Sequence, residues 1–236
     1  MKKILLMLFL LLPASAFAGG ADLEFVTGLS NNAFRDVVRQ VGMASAYRGL
    51  APAEPLGITG FDIGAEISYV DLDTEVFEFA MEDAPSFLAV PRIHVRKGLP
   101  FGLDLGLSYS QVPDSNIKLI GGELQYAILD GGMAYPALAV RGSYSSLQGV
   151  DDLDLETMAA DLVVSKGILM LTPYAGAGLV RINGDYTGNT LPLEDQDMTE
   201  ARFFAGVQFS VLLMRFTLDA EIGDNNIYTA KVSLGF

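Results

Sequence analysis

Residues 101–109 read FGLDLGLSY. Phe101, Leu103, Leu105, Leu107 and Tyr109 share one face, and Gly102, Asp104, Gly106 and Ser108 the other. Such alternation marks a strand with one apolar and one polar side. Residues 61–69, FDIGAEISY, repeat it: Phe61, Ile63, Ala65, Ile67 and Tyr69 stand against Asp62, Gly64, Glu66 and Ser68. About ten segments follow this rule, at 57–70, 88–96, 101–111, 117–128, 134–146, 155–165, 170–183, 199–211, 215–223 and 227–236. Each is close to the ~9–11 residues of a tilted membrane-spanning strand.

Composition explains where the apolar residues go. The chain of 236 residues is 50% hydrophobic, yet beyond its first residues it has no run long enough for a transmembrane helix, which needs ~20. Residues 1–18 read as a secretory signal peptide: Lys2 and Lys3, a short apolar run over Ile4–Leu12, then Ala16-Phe17-Ala18. The absence of cysteine excludes a disulfide framework, a thiolate metal site and lipid attachment at cysteine. Without Lys2 and Lys3 the chain carries 13 basic against 29 acidic residues, a net charge of −16. Nucleic acid is excluded as a partner, since phosphate neutralisation needs clustered Lys and Arg.

The connections alternate in kind. RKGLPF, LDGGM, SKGI and LLMRF are tight turns, whereas 71–87, 147–154 and 184–198 are longer and acidic, with shorter links at 112–116 and 224–226. This layout predicts an all-β fold, an antiparallel transmembrane β-barrel of about ten strands over 57–236, with short periplasmic turns and longer outer loops. Aromatics give an independent test. Tyr69, Tyr109, Tyr144 and Tyr228 fall on the apolar face at the long-loop end, and Phe101, Tyr126, Phe216 and Phe236 toward the short-turn end. Two interfacial girdles are expected of a barrel in lipid.

The inward face is charged in an ordered way. Asp62 and Glu66 precede Arg92, His94 and Arg96; then come Asp104, Glu123, Arg141, Asp161, Arg181, Arg202, Asp219, Glu221 and Lys231. Acidic and basic strands mostly neighbour one another, so an ion-pair network sealing the lumen is expected, with a solute-selecting constriction as the alternative. In LTPYAGAGLVRINGDY (171–186) the alternation fits either phase; aiming Arg181 away from lipid puts Tyr174, Val180 and Tyr186 outward. His94, the single histidine, lies between two arginines and beside carboxylates, with no recognisable serine nucleophile motif. It reads as ion-paired, and no enzymatic role or cofactor is predicted. The acidic stretches DTEVFEFAMEDAP, DDLDLE and PLEDQD lack the spacing of a calcium loop. They read as a solvated outer rim, bridged by divalent cations to lipopolysaccharide phosphates.

Residues 19–50 differ in kind. In LSNNAFRDVVRQVGMASAYRGL (29–50), Phe34, Val37, Val38 and Val41 share one helical face, and Arg35, Asp36, Arg39 and Gln40 the other, with Ser30 or Asn31 as N-cap. The apolar face needs a partner, either a periplasmic surface or the lumen. Inward Gly64, Gly102, Gly106, Gly121, Ala127, Ala137, Ala139, Ser143 and Ala159 would leave room there for a helix or a ligand.

The passage YRGLAPAEPLGITGFDIGAEIS (47–68), with the helix before it and the strand layout after it, resembles the opening of an uncharacterised family of Gram-negative outer-membrane β-barrels. The last strand resembles the C-terminal insertion signal of such proteins, with Tyr228, Val232, Leu234 and Phe236 outward, and implies the barrel assembly machinery as a partner during biogenesis. A looser similarity, to the outer-membrane long-chain fatty-acid transporters, implies an N-terminal segment inside the barrel and a hydrophobic small-molecule ligand. The expected function is porin-like passage of a small or hydrophobic solute, gated by the helix. The alternative is a closed structural barrel whose acidic loops bind lipopolysaccharide or an external partner.

Overall fold

Ten strands, counted among the described residues, close into an antiparallel barrel in which each pairs with its chain neighbours and the last pairs with the first. They are β1 Phe61–Asp71, β2 Phe87–Gly98, β3 Leu103–Gln111, β4 Lys118–Asp130, β5 Ala137–Gln148, β6 Leu153–Ser165, β7 Leu171–Tyr186, β8 Gln196–Val211, β9 Met214–Ile222 and β10 Ile227–Gly235. The computed structural model describes residues 29–73, 76, 86–111, 116–223 and 225–236. The expected signal peptide lies outside them, as do residues 19–28 of the helical segment, most of the 71–87 link, 112–115 and residue 224.

Closure removes the sheet edges that would otherwise template aggregation. At the seam, Phe61 N–H donates to the Phe236 carbonyl and Phe236 N–H to the Phe61 carbonyl, both at 3.1 Å. Their rings meet edge to face at 4.6 Å. The exterior is apolar: Ile93, Leu107 and Leu218 are 58%, 59% and 61% exposed. Tyr69, Tyr109, Tyr144 and Tyr228 fringe this belt at one end, and Phe101, Tyr126, Phe216 and Phe236 at the other, all outward. A belt of this kind suits hydrocarbon, because in water it would be an aggregation surface.

The strands differ in length, and that decides their polarity. β3, β9 and β10 have 9 residues, whereas β7 and β8 have 16. Sixteen residues at ~3.3 Å each and ~40° tilt rise ~40 Å, well beyond a ~25 Å apolar band. Above the band the alternation inverts. Asp154, Glu156, Arg181, Asp185 and Asp197 point out and are exposed, while Leu153, Leu155, Val180, Ile182 and Met198 point in and are buried.

The predicted phase of β7 is therefore corrected. Tyr174 and Val180 are inward, and Arg181 is outward, ion-paired with Asp197 of β8. Arg181 does not belong to the lumen network. Its register partner is Met158, whose partner is Tyr144 of the girdle, so the guanidinium meets water rather than the hydrocarbon midplane. Apolar-out applies only where the outside is lipid.

The helix α1, Asn31–Ser45, is capped by Ser30, whose Oγ accepts Ala33 N–H at 3.2 Å. It lies inside the barrel at the long-loop end, against β5 to β8 on one side and residues of β1 and β10 on the other. Phe34, Val37 and Val38 are fully buried, as expected of the apolar face. Gln40, assigned to the polar face, is buried too, because the lumen encloses the last turns on all sides. Its Oε1 accepts Asp73 N–H at 3.0 Å.

Candidate functional site in the barrel lumen

The outer half of the lumen is an apolar socket for α1. Phe34, Val38 and Met43 cluster with Leu119, Leu153, Leu155, Val180 and Ile182, and Val37 and Ala44 with Val70 and Ile227. Two glycines permit this approach: a Cβ on Gly42 would stand 2.4 Å from Ile182, and one on Gly184 2.5 Å from Val38. The first turn sits at the long-loop rim, where Asn31 Oδ1 accepts Glu194 N–H at 3.0 Å.

From Ala46 the chain runs down the lumen to the short-turn end, where it turns into β1. The wall addresses it through its backbone. Ser145 Oγ donates to the Ser45 carbonyl at 2.7 Å, Arg92 to Ala46 at 3.3 Å, Arg202 to Tyr47 at 3.0 Å and Arg141 to Ala51 at 3.1 Å. Gln125 reaches the Pro52 and Ala53 carbonyls, both at 3.4 Å. Ser165 Oγ accepts Ala53 N–H at 2.8 Å, and Asp104 accepts Leu56 N–H at 3.0 Å. Arg48 folds back on α1, donating to the carbonyls of Met43, Ala44 and Ala46 at 2.8, 3.1 and 3.4 Å. The Met43 and Ala44 carbonyls at the helix end would otherwise lack partners.

Around this thread lies the charged network. Asp62 binds Lys231 at 2.7 Å and Arg215 at 3.2 Å. Glu66 meets His94 Nε2 at 3.0 Å and Arg92 at 3.7 Å. Glu123 joins Arg96 at 2.6 Å to Arg141 at 3.2 Å, and Arg96 extends to Asp104 at 3.5 Å. Asp161 holds Arg202 at 2.6 Å, and Glu221 faces Arg48 at 3.7 Å and Arg202 at 3.9 Å. Asp219 stands apart, accepting from the Tyr174 hydroxyl at 2.7 Å. Among the described residues, six carboxylates (Asp62, Glu66, Asp104, Glu123, Asp161, Glu221) and six Arg or Lys side chains (Arg48, Arg92, Arg96, Arg141, Arg202, Lys231) are buried, with His94 beside Glu66. Numerical balance of this kind is what a low-dielectric interior demands, since an unpaired buried charge costs several kcal/mol.

Thus the structure gathers the predicted lumen residues except Arg181, which points outward, and Asp219, which stands off the ion pairs at Tyr174. It adds Arg48, Gln125, Arg215 and Tyr47. Tyr47 fills a hole walled by glycine: a Cβ on Gly106 would lie 2.7 Å from its hydroxyl, and one on Gly121 2.8 Å from its ring. The ring leans on His94 at 5.3 Å. The small inward residues at Gly106 and Gly121 were the available signal for this pocket. Their occupant, far away along the chain, left none.

Between the two mouths, Arg48, Gly49, Leu50, Arg141, Arg202 and Glu221 border a cavity of about 10 Å³, room for one water. A vestibule of about 290 Å³ opens at the short-turn end over Pro52, Glu54, Pro55, Asp62 and Arg96. At the opposite rim, Asp154, Glu156, Asp185, Asp195 and Asp197 line an outer concavity of about 530 Å³. Among the described residues no group of three or more His, Asp or Glu is placed to hold a metal ion. His94 is fully buried beside Tyr47 of the thread.

No protein-family model matches this chain, and no curated protein does. Solved structures similar to it include the KdgM porin in complex with disordered oligogalacturonate, at 10% identity over 74% of this chain and 99% of that one, with a TM-score of 0.42. Neisserial surface protein A is similar at 10% identity over 75% and 97%, with a TM-score of 0.32. The Yersinia pestis outer membrane protein Ail, in a phospholipid bilayer nanodisc, is similar at 11% over 74% and 99%, also at 0.32. The likeness is one of barrel architecture and says nothing of a ligand.

Proposed function

We propose that this chain is an outer-membrane β-barrel of a Gram-negative cell, with the long loops outside, kept shut by its own N-terminal segment. The observation that carries this reading is the clamp of wall side chains on residues 45–56. Arg92, Arg202, Arg141 and Gln125 spend donors on the thread's carbonyls. Passage of a solute requires that thread to leave. The outward stripe Tyr228, Val232, Leu234 and Phe236 on β10 supports recognition by the barrel assembly machinery, and the apolar belt supports contact with lipid.

A disulfide tests the gate. A Cβ on Gly184 would lie 3.4 Å from Val38 Cβ, near the ~3.8 Å of a disulfide, and the chain has no other cysteine. Planar-bilayer recordings on Val38→Cys/Gly184→Cys should show silence when oxidised and openings when reduced, in sub-denaturing urea. Silence in both states sinks the gate. It leaves the second reading, a closed structural barrel, favoured by the acidic concavity at the rim. There divalent cations would link the rim carboxylates to lipopolysaccharide phosphates.

A further inference from the structure

We propose that the lumen is a binding site for a peptide, and that residues 45–56 occupy it as a built-in ligand. This rests on one part of the gating reading, that residues 45–56 can leave the lumen, and names the class of molecule that then enters.

Among the described residues no main-chain hydrogen bond joins any two of 47–56, and Pro52 and Pro55 have no N–H to give. Backbone polar groups buried away from water must nonetheless be paired. Here the wall does the pairing, taking carbonyls at Ser45, Ala46, Tyr47 and Ala51 and N–H groups at Ala53 and Leu56. A filler element satisfies its own backbone, as α1 does. This segment is instead irregular, with bends at Ala46, Ala51, Ala53 and Glu54, and takes its backbone bonds from the wall as a bound peptide does.

Main-chain contacts are common to every peptide, so side chains must supply selectivity, and two do. Tyr47 enters the hole between Gly106 and Gly121, an aromatic anchor in a fitted pocket. Seven residues on, the Glu54 carboxylate accepts from Ser165 Oγ at 2.6 Å and from Gly167 N–H at 3.1 Å. The ligand is therefore a proline-containing peptide with an aromatic residue followed at that spacing by an acid.

The resident segment competes with any such peptide at high effective concentration. Weakening it should admit the competitor, since apparent affinity scales with the fraction of open lumen. The probe is a fluorescein-labelled peptide, SAYRGLAPAEPL, added to the full mature chain in liposomes. Tyr47→Ala/Glu54→Ala in the chain should raise its affinity at least about tenfold over wild type. Replacing the peptide's tyrosine by alanine should remove that gain. Should the double variant not fold, the Val38→Cys/Gly184→Cys chain decides, in the same sub-denaturing urea: the peptide binds when it is reduced and not when oxidised. Equal binding of a scrambled peptide, or no gain in either open form, overturns the proposal. If reduction opens a conductance but the peptide does not bind, this inference fails and the gate stands. If the peptide binds while the bilayer stays silent, the site stands and the gate fails.

Discussion

Arg202 of β8 grips Asp161 of β6 with both arms of its fork, Nε to Oδ1 at 2.8 Å and Nη2 to Oδ2 at 2.6 Å. Its Nη1 donates to the Tyr47 carbonyl at 3.0 Å. The two strands are separated by β7, where Gly178 lies between them: a Cβ there would come within 2.1 Å of Asp161. One arginine thus joins wall to wall and wall to thread, bidentate on the first and monodentate on the second.

Arg202→Ala should lower the stability of the refolded barrel by about 3–5 kcal/mol, because it strands a buried carboxylate. Urea unfolding in detergent micelles measures this. Adding Asp161→Leu should recover most of the loss. A single-variant cost under about 1 kcal/mol would show that the pair is solvated and the lumen wet.

At Tyr47 the ring and the hydroxyl should separate. Among the described residues the hydroxyl has no hydrogen-bond partner, so Tyr47→Phe should be neutral or slightly stabilising, within about 1 kcal/mol. Tyr47→Ala empties the glycine-walled hole and should cost about 3–5 kcal/mol. Equal losses for the two variants would place the interaction at the hydroxyl instead.

The complementary change enlarges the wall. Gly121→Val puts branched carbon where a Cβ already comes within 2.8 Å of the Tyr47 ring. The barrel wall should survive, retaining its heat-modifiable migration on a gel, while the thread is expelled and conductance rises. Loss of the folded band without any conducting state would show that thread and wall fold as one unit.

Adjacent residues of β7 give a direct test of its phase. In the cysteine-free chain, Arg181→Cys should react with a membrane-impermeant maleimide, whereas Val180→Cys should stay protected until denaturant is added. Val180 is 0% exposed, and Arg181 lies outward beside Asp197. Reversed labelling would restore the inward placement of Arg181.

Period-two alternation made the ten strands legible because each wall residue in the belt meets only two solvents, hydrocarbon outside and a polar interior inside. The aromatic girdles made strand height legible for the same reason. The rule failed at Arg181 and Val180, where β7 projects past the belt. Water there replaces lipid on the outside, and an apolar helix replaces polar groups within. Local alternation is unchanged by that exchange, so no count along 171–186 reveals it.

The charged residues of the lumen were legible as a set because each sits on a polar face flanked by a strand of opposite charge. Their partners were only partly so. Lys231 faces Glu66 in register yet binds Asp62, and Arg141 divides its donors among Glu123, Gln125 and the Ala51 carbonyl. Long side chains in a confined space choose partners by reach in three dimensions.

By itself the sequence determined the strands, their outward faces everywhere but in β7, the closing seam and an amphipathic helix in want of an apolar partner, all set by local periodicity and burial. Only the tertiary structure decided that the helix sits in the outer mouth and that residues 46–56 run the depth of the lumen. Backbone carbonyls carry no trace in the sequence of which distant arginine will satisfy them, and a glycine-walled hole does not name the tyrosine that fills it.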